Sequence, residues 1–172
     1  MSDKLLDLLK EELKSVEEAA FILDYSYNNC RKIGIKKEYS LHELDNFEAF
    51  TSRFARLSDV LIQKLFRLID KIELEEKGTV RDRINNAEKY GLIDNADTFV
   101  QIRIVRNDIT HEYDTDSIKE IFKKVMALTP HLLESAKMTI AFAPKICYVT
   151  HCDYLVTLEK GKSSEVNHDT TS

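Results

Sequence analysis

Residues 40–72, SLHELDNFEAFTSRFARLSDVLIQKLFRLIDKI, space Leu44, Phe47, Phe50, Phe54, Leu57, Leu61, Leu65, Leu68 and Ile72 at steps of three and four. At about 100° per residue these positions share one face, so the stretch predicts one long amphipathic helix. Ser40 with Glu43 three positions on forms a candidate capping box at its start. Upstream, Leu5, Leu9, Leu13, Val16, Ala20, Leu23 and Tyr27 repeat the pattern from about Asp3 to about Lys32, and Gly34 supplies a C-terminal glycine. Two long amphipathic helices on a short link should pack antiparallel.

Gly78 stops the second helix. Thr79 with Asp82 restarts a shorter one through about Tyr90, and Gly91 breaks it. Asp94 or Asn95 caps a fourth helix carrying Phe99, Ile102, Val105 and Ile109. Asp116 or Ser117 caps a fifth, with Ile118, Ile121, Phe122, Val125 and Leu128 turned inward. Pro130 is expected to kink or divide that helix, because it lacks an amide proton and clashes with the preceding turn. The expectation is an all-α bundle of four to five helices over 1–138. An irregular or β-like arm follows over 139–159, where Lys145–Leu158 is rich in β-branched and aromatic residues, and then a polar, disordered tail over 160–172.

Composition agrees with few, long helices: glycine occurs 4 times and proline 2 times in 172 residues, too few for a fold of many tight turns. The net charge of −5 counts against binding of nucleic acid through a broad basic face, but not through a local pocket or through arginines pooled by two chains. No apolar run approaches the ~18 residues of a membrane span. The 3 cysteines and the lack of a secretory signal point to reduced thiols in the cytoplasm. Cys147, His151 and Cys152 cluster, but a structural zinc site wants four ligands, so no metal is assigned. No glycine-rich loop is present to cradle a nucleotide, and no cofactor is expected.

Chemistry concentrates in Arg106-Asn107-Asp108-Ile109-Thr110-His111-Glu112-Tyr113. A neutral imidazole at His111 suits removal of a proton from a ribose 2′-hydroxyl near neutral pH. A guanidinium at Arg106 supplies fixed donors for the charge that grows on phosphoryl oxygens. Asn107 could add a hydrogen bond to phosphate or sugar, or orient His111. In a straight helix Arg106 and His111 diverge by roughly 140°. They converge only if the helix ends or distorts near Thr110, or if a second chain completes the site. The bland alternatives are Arg106 paired with Asp108, Glu112 or Asp116 as a surface charge, and His111 as a helix-end histidine suited to the C-terminal dipole.

The octapeptide resembles the R-x4-H-x-Y signature of HEPN-domain ribonucleases, in particular the HepT-like toxins paired with minimal nucleotidyltransferase antitoxins. Phe50 to Asp70, Val80-Arg81-Asp82-Arg83, Ala87 to Ile93 and Ile102 to Asn107 resemble blocks of that family in order, so the likeness covers Ser2 to Leu133. The resemblance implies a HEPN-type bundle that homodimerises so that two R-x4-H elements face one cleft. It implies a metal-independent endoribonuclease toxin with Arg106 and His111 catalytic, Asn107 accessory and RNA as substrate. It also implies Tyr113 as the residue that a cognate nucleotidyltransferase adenylylates. Asp108, a carboxylate inside the motif, would weaken anion binding unless it points away, as the helical wheel suggests it does. The alternative is a non-catalytic subunit that binds substrate for, or docks on, a nucleotidyltransferase.

Overall fold

A computed structural model describes residues 3–73, 78–111 and 115–149, and the side chains of all of these but 3, 115–117 and 143–149. Every regular element among them is helical. Helix α1 runs Asp3–Ile33. Helix α2 begins as Leu41–Asp59, passes through a π-helical stretch at Val60–Leu65 and continues as Phe66–Ile72. Helices α3 (Val80–Lys89), α4 (Ala96–His111) and α5 (Thr115–Val149) complete the bundle. No helix among the described residues is long and apolar enough to cross a membrane.

The antiparallel pair follows from its side-chain pairings. The buried Cys30 thiol, late in α1, donates to the Asn46 carbonyl at 3.5 Å. Arg53 donates to Ser26, and Lys64 lies 3.6 Å from Glu12, so partners run in opposite senses along the two helices. On α1 the wholly buried positions are Leu9, Val16, Leu23 and Cys30, every seventh residue, flanked by Ala19 and Ser26. Leu5, Leu13, Ala20 and Tyr27 pack beside them, half covered.

Helix α2 is the centre of the molecule, touched by all four others. Its expected stripe is buried from Phe47 to Leu68, with Leu44 and Ile72 half covered at its ends. The stripe is only part of the story: Val60, Ile62, Phe66 and Ile69 are buried as well. The π stretch accounts for this second row. Its wider turn, closed by the Phe66 amide donating to the Leu61 carbonyl five residues back, rotates the later residues so that a helix surrounded by neighbours buries two faces. Phe66 meets Phe99 of α4 at 6.0 Å, and Phe47 stacks on Phe122 of α5 at 4.4 Å between ring centres.

The loops set the angle at which α4 reaches α2. Gly91 has φ 73°, a left-handed conformation that glycine adopts without strain. Its amide donates to the Glu88 carbonyl and the Leu92 amide to the Ala87 carbonyl, both at 2.9 Å, a Schellman closure of α3. Leu92 and Ile93 then plug the core. Asn95 caps α4 by accepting from the Thr98 amide at 2.8 Å, and the Glu88 carboxylate accepts the Ala96 amide at 2.9 Å.

One expectation fails in the last helix and two in part. Helix α5 starts at Thr115, so Asp116 and Ser117 lie inside its first turn and do not precede it. Pro130 does not divide it. The bond lost at the Met126 carbonyl is a local defect of ~3 kcal/mol in an isolated helix, and here buried Val125, Leu132 and Ala136 hold both sides of the proline against the core. Residues 139–149 continue α5 and are not β-like; packing of the preceding turns carries the helix through a segment of high β-propensity. Buried Thr129 and Thr139 satisfy their hydroxyls on the Val125 and Ser135 carbonyls. The remainder of the arm, the tail, His151 and Cys152 lie outside the described residues.

Candidate functional site

Helix α4 buries Ala96, Phe99, Ile102 and Val105, and that register leaves Arg103 and Arg106 at the edge facing α2. Arg106 reaches across to Asp59, the residue just before the π stretch. Its Nη2 donates to Asp59 Oδ2 at 2.7 Å, and its Nη1 donates to Asn107 Oδ1 at 3.3 Å. The Arg106 and Asp59 side chains are 34% and 39% exposed, so this is a wet ion pair. Pairs so placed contribute no more than ~1 kcal/mol to stability. Its effect is to fix where the guanidinium points. Two of five N–H groups are engaged and donor capacity remains for an oxyanion.

The pair borders a cleft of about 300 Å³ whose lining includes Gln63, Ile62, Arg103 and Asn107. Two guanidiniums three residues apart on α4, with a primary amide between the helices, form a polar notch suited to a phosphate-sized anion. Asp108 does not intrude. Its carboxylate is drawn to the opposite side, 3.7 Å from Lys124 of α5.

His111 is the last residue of α4 and is exposed. The helix is regular from Arg106 to His111, with the Thr110 hydroxyl bonded back to the Arg106 carbonyl at 3.2 Å. The two motif residues therefore stay roughly 140° apart around the axis. Within one chain Arg106, Asn107 and Asp59 come together, and His111 does not join them. Tyr113 lies outside the described residues, as does Glu112.

Asp59, Arg103 and Gln63 escaped the sequence reading. Arg103 carried a signal, since three residues before Arg106 on a helix is the same face. Asp59 carried none: only the tertiary crossing of α2 and α4 brings it to Arg106. The chain matches no protein-family model, no curated protein and no solved structure.

Proposed function

We propose that this chain is a metal-independent endoribonuclease toxin, with Arg106 of one copy and His111 of a second copy working in a shared cleft. The observation that carries the reading is the Arg106 guanidinium, aimed by Asp59 into a polar notch from which Asp108 has been turned away. In the reaction, neutral His111 removes the 2′-hydroxyl proton of the RNA. The resulting alkoxide attacks the adjacent phosphorus and expels the 5′-oxygen, which leaves as a hydroxyl after taking up a proton. A 2′,3′-cyclic phosphate remains. Arg106 holds the non-bridging oxygens as their charge grows, and Asn107, whose Oδ1 faces Arg106, keeps its amide N–H groups for phosphate or sugar.

The divergence supports a second copy, because a straight α4 holds His111 roughly 140° around the axis from its own Arg106. The outer face of α4 supports such a contact. Ile104 is 45% exposed and lies seven residues before His111, so the two point within roughly 20° of each other. An apolar side chain beside the histidine suits a homodimer seam.

Control by a cognate nucleotidyltransferase belongs to the same reading. An adenylyl group on Tyr113, close to His111 in sequence, would carry a phosphodiester and a bulky nucleoside into the mouth of the cleft and repel RNA.

The test is cleavage of RNA by the purified chain in EDTA. His111→Ala should lose ~10²–10⁴-fold while the chain stays folded. Arg106→Lys should not restore full activity, because a point charge cannot reproduce the planar fork. Co-expression with the nucleotidyltransferase should add adenylyl mass that disappears in Tyr113→Phe. Cleavage that needs added divalent metal, or that persists in His111→Ala, overturns the mechanism.

A further inference from the structure

The Arg106 notch does not stand alone. Gln63, on the π stretch, lines it and also lines a second, larger cleft of about 580 Å³ on the adjoining face, walled by Lys64, Arg67, Lys71 and Arg83. Across the two clefts stand six cationic side chains against three carboxylates, in a chain whose net charge is −5. Each carboxylate is already engaged: Asp59 with Arg106, Asp70 with Arg83 at 3.7 Å, and Glu12 with Lys64 at 3.6 Å.

Arg83 shows the strain of this arrangement. Its side chain is 15% exposed, and its Nη1 is tethered to the Ile62 carbonyl and to Gln63 Oε1, both at 3.4 Å. Burial pulls its pKa below the ordinary value; Asp70 opposes that, and the like charges of Arg67 and Arg103 add to it. Among the described residues neither Arg67 nor Arg103 has an ion-pair partner. A bound polyanion would offset the like charge of these three guanidiniums, two of them without an ion-pair partner among the described residues.

We infer that Arg67, Arg83 and Arg103 form a track that holds the phosphates of single-stranded RNA leading to the scissile phosphate at Arg106. The inference rests on the ribonuclease reading for the identity of the polyanion, and on two clefts that share Gln63 in their linings for its path. Cations spread over two neighbouring clefts suit a chain with one charge per nucleotide better than a single free phosphate.

The experiment measures binding of an end-labelled single-stranded RNA oligonucleotide to the His111→Ala chain over a salt series, so that cleavage does not intrude. Each phosphate contact contributes ~0.7 to the slope of log affinity against log salt. The pair Arg67→Gln and Arg103→Gln should weaken binding and flatten that slope by about 1.4, as two such contacts require. Arg67→Gln alone, on an exposed side chain, should give half the change. An unchanged affinity and slope in these variants overturns the track, and if the wild-type chain still cuts RNA the ribonuclease reading survives that result. A flattened slope in a chain that never cuts RNA upholds the track and removes the nuclease. Polyglutamate binding as tightly as RNA, with the same dependence on Arg67 and Arg103, overturns the assignment to nucleic acid.

Discussion

Asp59 and Arg106 lie 47 residues apart in the chain and 2.7 Å apart in space. A surface arginine paired in this way loses little stability when its partner goes, yet it loses its aim. Asp59→Asn should therefore separate two readouts. The thermal midpoint should move little, since a pair so exposed contributes no more than ~1 kcal/mol. The kcat for RNA cleavage should fall about 10–10²-fold, the order expected when a catalytic group is displaced by a fraction of an ångström to an ångström. KM should hold or drop, because a negative charge beside the anion site has been removed. An unchanged kcat would show that Asp59 does not position Arg106. At this scale the sequence was partly legible. The motif named Arg106 and Asn107, and the wheel foretold that Asp108 would face elsewhere. Asp59 could not be found, because nothing local ties it to the motif.

Helix boundaries were more legible than side-chain partnerships, because caps are written in adjacent residues. Ser40 with Glu43 and Thr79 with Asp82 both form complete capping boxes. In the second, the Asp82 carboxylate accepts from the Thr79 amide at 2.7 Å while the Thr79 hydroxyl accepts from the Asp82 amide at 3.3 Å. The Thr79 amide, and then its hydroxyl, hold the Asp82 pKa below 3.8. A depressed carboxylate stabilises the fold above its ordinary range and loses that contribution as pH falls through the folded value. Thr79→Ala should cost ~1 kcal/mol in chemical denaturation at neutral pH. The cost should shrink in acid, where the box is already weakened; a variant as stable as the parent at neutral pH would contradict the capping role. The π stretch was illegible for the opposite reason. Nothing in VLIQKL breaks a 3.6-residue rhythm, and only the demand to bury Ile62 and Phe66 as well as Leu61 and Leu65 selects the wider turn. Residues 139–149 of the arm were misread because β-propensity was judged alone, without the long packed helix that feeds into them.

The bundle as a whole sets a limit on what one copy can do. It presents the guanidinium on one side of α4 and leaves the imidazole at the end of the same helix, facing another way. Periodicity in the sequence exposed that divergence, and the straight course of α4 to His111 removes the escape by local distortion. The proposed working centre therefore takes Arg106 from one copy and His111 from the other. Mixing the two inactive variants Arg106→Ala and His111→Ala tests this directly. In a two-fold dimer each mixed pair regains one complete centre, so random exchange at equal amounts should restore about a quarter of wild-type RNA cleavage. A mixture that exchanges subunits and yet cleaves no faster than its two components would contradict the shared cleft.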